Sequence, residues 1–117
     1  MSEPIEDRQR RVCRSYGTGF LPPTPGSLLG LARDLATVLQ PLNGLRHPIE
    51  AGTCGWYVWR GEELSQAEDY FQPVRVEHLI TECPEALDFL ALPPGWRFLI
   101  APGQVDVWYD ASLLKLE

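Results

Sequence analysis

Between Trp96 and Tyr109, apolar and polar residues alternate on both sides of Pro102-Gly103. The runs Trp96-Arg-Phe-Leu-Ile100 and Val105-Asp-Val-Trp-Tyr109 around a Pro-Gly turn specify a β-hairpin. If Ile100 faces Val105, then Phe98 pairs with Val107 and Trp96 with Tyr109 on one face. On the other face Leu99 meets Asp106 and Arg97 meets Trp108, with Asp110 diagonal to Arg97. A one-residue slip would turn Phe98 and Val107 to opposite faces, so burial fixes the register. Arg97 then lies over an indole and between two carboxylates. Such a cluster either locks a sheet or anchors a partner, because Trp and Arg carry much of the binding energy at interfaces.

The rest of the chain supplies short elements, as eleven prolines and ten glycines in 117 residues require. Pro4 to Tyr16 has helical spacing at Ile5, Val12, Cys13 and Tyr16, with Gly17 to close it. Phe20 to Gly26 is a proline-rich loop. Ser27 can cap a helix whose stripe is Leu28, Leu31, Leu35, Val38 and Leu39 and which Pro41 ends; the alternative is that Leu28 to Ala32 is a buried strand. Asn43-Gly44 is a turn signal within Leu42 to Pro48. Cys54 to Arg60 is a strand with bulky residues on both faces, Trp56 and Val58 on one, Tyr57 and Trp59 on the other, as in a strand covered on both sides. Tyr70-Phe71 is placed to pin the preceding acidic loop to the core. Val76, Leu79, Ile80, Cys83, Leu87 and Leu90 form a helical stripe that Pro84 interrupts. Proline inside a helix costs about 3 kcal/mol, which predicts two short helices with Pro84 in the first turn of the second. The expected fold is α+β, a small antiparallel sheet that includes the C-terminal hairpin, packed against short helices. One domain is expected over residues 1–117, with an N-terminal helix and Pro-rich loop (1–26) before the core (27–117).

The net charge of −6 is unevenly spread. From Glu62 to Asp88 there are eight acids (Glu62, Glu63, Glu68, Asp69, Glu77, Glu82, Glu85, Asp88) and one base, Arg75, a local net of −7. An acidic protein makes a poor direct nucleic-acid binder, since phosphate contacts need a basic face. It suits a basic partner such as a nuclease, or else the acids merely solvate the surface. Cys13, Cys54 and Cys83 are odd in number and widely spaced, which argues against a disulfide framework and for a reducing, cytoplasmic compartment. No apolar run approaches 18 residues, and Met1 to Arg14 offers no secretory signal, so no membrane association is expected.

Candidate chemistry is sparse. His78 and Cys83 are five positions apart, which puts a would-be base and nucleophile on different faces of a helix, with Cys83 on the core stripe. His47 falls in the turn-like Arg46-His47-Pro48. Neither the histidines nor the cysteines have metal-ligand spacing, and there is no phosphate loop or nucleophile elbow. No cofactor, metal or catalytic residue is expected.

Several strings carry a resemblance. Leu42-Asn-Gly-Leu-Arg-His-Pro48, Cys54-Gly-Trp-Tyr-Val-Trp-Arg-Gly-Glu-Glu-Leu-Ser65, Phe71-Gln-Pro-Val-Arg-Val-Glu-His-Leu79, Leu92-Pro-Pro-Gly-Trp-Arg-Phe-Leu-Ile-Ala101, Asp106-Val-Trp-Tyr-Asp110 and Ser112-Leu-Leu114 are similar to the immunity-protein-33-like domain of bacterial polymorphic toxin systems. The likeness covers roughly the last two-thirds of the chain. It implies a stoichiometric inhibitor that binds and neutralises a cognate toxin protein, and it transfers no catalytic residue. The candidate partner-binding residues are the acids Glu62, Glu63, Glu68 and Asp69 together with Arg97 and Trp108. The alternatives are an interaction domain with a non-toxic partner, or a small enzyme that would need a polar pocket around His47 or His78.

Overall fold

The computed structural model describes residues 4–32, 41–50, 52–61 and 71–114. Helix α1 spans Ile5–Ser15, with Glu6 and Asp7 in its first turn and Arg14 in its last, each favourable to the helix dipole. Strands follow at Leu28–Ala32 (β1), Leu42–Arg46 (β2), Thr53–Arg60 (β3) and Phe71–Arg75 (β4). A 3₁₀ turn at Val76–His78 leads into α2 (Leu79–Glu82), and a second 3₁₀ segment covers Pro84–Phe89. Strands β5 (Trp96–Ala101) and β6 (Gln104–Tyr109) form the hairpin, and a 3₁₀ turn at Ala111–Leu114 comes last.

The six strands make one sheet in the order β4-β1-β3-β2-β5-β6. It is antiparallel except for the parallel pair β1 and β3. The fold is therefore α+β as expected, with one parallel pair added to the antiparallel sheet. The hairpin has the expected register throughout, with Phe98 opposite Val107, Ile100 opposite Val105 and Arg97 opposite Trp108. Gly103 at φ +73 after Pro102 supplies the left-handed residue of a type II turn.

Two segments correct the sequence reading. The helix begun by Ser27 is absent over Leu28–Ala32, where the alternative, a strand, is found; Leu35, Val38 and Leu39 lie outside the described residues. Strand β1 is paired on both sides, so its apolar run reflects double-sided burial and not a helical stripe. Ser27 caps nothing; its hydroxyl donates to the Thr24 carbonyl at 2.7 Å. Likewise Asn43-Gly44 makes no turn but lies inside β2. The glycine is needed for close approach, since a Cβ at Gly44 would lie 2.2 Å from the Phe98 ring. The Asn43 amide donates to the Gly61 carbonyl at 2.8 Å, joining β2 to the end of β3.

Helices α1 and α2 and the 3₁₀ segment Pro84–Phe89 lie on one face of the sheet. There Trp56, Val58, Leu42, Phe98, Leu79, Cys83, Leu90 and Leu92 are almost fully buried in one cluster. The stripe read from Val76 to Leu90 holds at Leu79, Cys83, Leu87 and Leu90. Ile80 leaves it, 56% exposed, because a 3₁₀ lead-in and the break at Cys83 (φ −155) shift the helical phase. Pro84 occupies the first turn of the second segment, which is 3₁₀ in form. No helix among the described residues is long and apolar enough to cross a membrane.

Candidate partner-binding face

Successive side chains of a strand point to opposite faces, so the residues between the core positions form a second face. Across it run Phe71 from β4, Ala32 from β1, Tyr57 and Trp59 from β3, Leu45 from β2, Arg97 and Leu99 from β5, and Asp106 and Trp108 from β6. Ala32, Leu45, Trp59 and Leu113 are buried there in a small cluster against Phe71. Tyr57 (36% exposed) and Trp108 (38%) reach solvent. The strand β3 is thus covered fully on the helix side and only in part on this one.

The aromatic side chains are fixed by one another. Phe71 meets Tyr57 edge-on at 5.1 Å and Trp59 at 6.3 Å, and His47 meets Tyr57 edge-on at 5.4 Å. The Nδ1 of His47 lies 3.1 Å from the Leu113 carbonyl, so the imidazole ties the last 3₁₀ turn to the sheet. Between these rings lies a hollow of about 150 Å³ lined by Leu45, His47, Tyr57, Trp59 and Phe71. A larger one of about 350 Å³ opens beside it, around Gly30 and Tyr57. A Cβ at Gly30 would meet the Tyr57 ring at 2.5 Å, so this glycine lets the tyrosine lie down over the sheet.

At the other end of the face, Arg97 lies with its guanidinium 5.2 Å from the Trp108 ring. Its Nη1 donates to Asp110 Oδ2 at 3.3 Å, and its buried Nε has no hydrogen-bond partner among the described residues. The Asp110 carboxyl is held below its ordinary pKa, first by the hydroxyl and amide of Ser112 and then by Arg97. The expectation of two carboxylates around Arg97 is met at Asp110 only. Asp106 accepts instead from the side-chain amide of Gln104 at 2.6 Å, because that residue is two positions away on the same strand face.

The acids divide. Glu62, Glu63, Glu68 and Asp69 lie outside the described residues, in the connection between β3 and β4. Further along, Glu77 accepts from the Gly26 amide at 2.8 Å, Glu85 from Arg60 at 3.0 Å, and Asp88 from Arg8 at 2.7 Å. These three carboxylates are committed to contacts within the chain.

On the other side of the sheet a single buried cation, which no pattern in the sequence marks, joins several segments. Arg46 is fully buried and donates to the carbonyls of Cys54 (2.8 Å), Leu21 (2.7 Å), Leu92 (2.7 Å) and Leu90 (3.3 Å). Its planar fork of five donors suits a site where several carbonyls converge. Burial pulls its pKa down to about 10, while Cys54 and Cys13 act the other way; it stays charged at neutral pH. In the sequence Arg46 stands only as the first residue of the turn-like Arg46-His47-Pro48.

For chemistry the arrangement offers little. His78 is exposed on its 3₁₀ turn, whereas Cys83 is buried and its thiol is pushed up to about 12, chiefly by burial. A thiol so hard to ionise is a poor nucleophile. Among the described residues no group of three His, Cys, Asp or Glu side chains is placed to hold a metal ion. The face offers instead rigid aromatic rings, hollows between them and a stacked guanidinium, which are the features of a protein-binding surface.

The sequence model of the Imm33-like domain family matches residues 8–110. No curated protein and no solved structure matches the chain.

Proposed function

The chain belongs to the Imm33-like domain family, and from that premise we propose that it is a non-catalytic immunity protein that binds and neutralises a cognate toxin in the bacterial cytoplasm. The match over residues 8–110 is the observation that carries this reading. The sheet face bearing Tyr57, Arg97 and Trp108 is the contact surface that fits it. Aromatic and arginine side chains already held in place bind with little loss of conformational freedom. The acids Glu62, Glu63, Glu68 and Asp69 steer the encounter with a basic, nuclease-like partner, since charges of this kind act mostly on the association rate.

The test is to express the product of the adjacent gene alone and together with this protein. Growth arrest by the neighbour, relieved in proportion to this chain and accompanied by a purified 1:1 complex, is the expected result. A neighbour that is harmless alone yet still binds would make the chain a general interaction domain. Toxicity unrelieved at excess of this protein, with no complex, would remove the reading.

A further inference from the structure

The two edges of the sheet are built differently. At the β4 edge, the amide of Val76 donates to the Ser27 carbonyl, which fixes the even-numbered residues as the ones bonded to β1. The odd-numbered Phe71, Pro73 and Arg75 therefore turn their backbones outward, and Pro73 has no N–H to offer. A proline and a charge on an edge are common devices against strand pairing. At the β6 edge, the amide of Asp110 donates to the Gly95 carbonyl, and Gln104 closes the hairpin opposite Ala101. By alternation, Gln104, Asp106 and Trp108 bond to β5, leaving the backbones of Val105, Val107 and Tyr109 facing outward. This edge has no proline, and its one charged residue, Asp106, is among those whose backbones bond to β5 and not outward. Val105 and Tyr109 are each 50% exposed on it.

We infer that β6 pairs antiparallel with β6 of a second copy of this chain, about a two-fold axis at Val107. In that register Val107 faces itself and Val105 faces Tyr109 at both ends. All three have outward backbones, so each facing pair exchanges both of its hydrogen bonds. The apolar side chains of these residues, on the helix side of the sheet, cover one another. Gln104 faces Asp110 with a donor for its carboxylate. Asp106 faces Trp108 of the other copy, the indole on which that copy's Arg97 is stacked. Neighbouring registers lack this fit. Centring on Asp106 sets two carboxylates directly opposite, and centring on Trp108 sets Asp106 against Asp110; like charges in facing positions are destabilising. The interface is isologous and closes as a pair. It continues the sheet through both copies and gathers two Arg97–Trp108 pairs beside the axis, independently of what the face binds.

The test is mass by sedimentation equilibrium across protein concentration. The native chain should pass from one to two copies by roughly 100 µM, as expected for a contact at the small end of stable interfaces. Val107→Pro transfers to β6 the device that Pro73 provides on β4, removing an outward N–H while sparing every bond to β5. It should raise the dissociation constant at least about tenfold with an unchanged circular dichroism spectrum. Val105→Glu keeps the backbone intact, places a carboxylate against Tyr109 of the other copy, and should also weaken pairing about tenfold, so the question stands if the proline variant fails to fold. A native chain that stays single at millimolar concentration, or folded variants that pair as well as the native chain, would overturn the inference. So would a single-copy chain in which Val107→Pro instead weakens capture of the toxin, since the edge would then take a toxin strand.

Discussion

The two faces of this sheet are made from the same strands and are finished differently. On the helix side, Trp56, Val58 and Phe98 are buried to the last few per cent, and even the charged Arg46 is consumed by four backbone carbonyls. On the other side the aromatics are held edge-on to one another but remain partly open, and Arg97 is stacked on a half-exposed indole. The difference lies in what removes each side chain from water. Among the described residues, helices and loops finish the first face, and on the second Leu113 folds back over Ala32, Leu45 and Trp59. A face completed within the chain stores stability, whereas the partly open face is the one proposed above for a partner.

The sharpest way to break this division is Arg46→Met. The substitution keeps bulk and takes this donor from the carbonyls of Leu21, Cys54 and Leu92, while the Leu90 carbonyl keeps the Trp56 indole N–H at 2.9 Å; a buried acceptor left unpaired costs about 1–3 kcal/mol. A loss of about 3–5 kcal/mol in urea unfolding is expected. A loss below about 1 kcal/mol would show that the helix-side face does not depend on its buried cation. Gly44→Ala comes next. The new methyl would overlap the Phe98 ring, and overpacking of this kind costs about 1–3 kcal/mol, read as a lower denaturation midpoint.

On the open face the balance should reverse. Trp108→Ala and Arg97→Ala should each change stability by no more than about 1 kcal/mol, because the Arg97–Asp110 contact is long and partly solvated. They should weaken toxin binding at least about tenfold by calorimetry. Unfolding of either variant would return Arg97 to a sheet-locking role. The smallest and most conditional effect belongs to the connection between β3 and β4. Reversing Glu62, Glu63, Glu68 and Asp69 together should slow association about tenfold at low salt, and the difference should fade by about 1 M salt as the Debye length shrinks to about 3 Å. An unchanged rate at low salt would take those acids out of the encounter.

How much of this could be read from the sequence depended on how local the cause was. The hairpin was legible residue by residue, because period-two alternation and a Pro-Gly turn leave one register that buries Phe98 with Val107. The break at Pro84 was legible for the same reason, a backbone limit that acts where it stands. Leu28–Ala32 was ambiguous because a short apolar run looks alike in a helix and in a strand paired on both sides. Asn43-Gly44 misled because its glycine answers to Phe98, more than fifty positions away, and not to its neighbours. Arg46 was not legible at all, since the carbonyls that hold it converge only in the folded chain. The pairing of Arg97 with Trp108 followed from the hairpin alone, whereas Tyr57 reads as part of a strand covered on both faces and is 36% exposed. That these share one side of a sheet with His47 and Phe71 follows from strand order, which alternation alone does not fix.

Hydrogen exchange on this protein, free and saturated with the toxin proposed as its partner, tests the division of the two faces most directly. The account predicts new protection in β3 and in β5 and β6, around Tyr57, Arg97 and Trp108, with α1 and the 76–89 helices unchanged. Protection confined to α1 and those helices, with the hairpin exchanging as in the free protein, would contradict it.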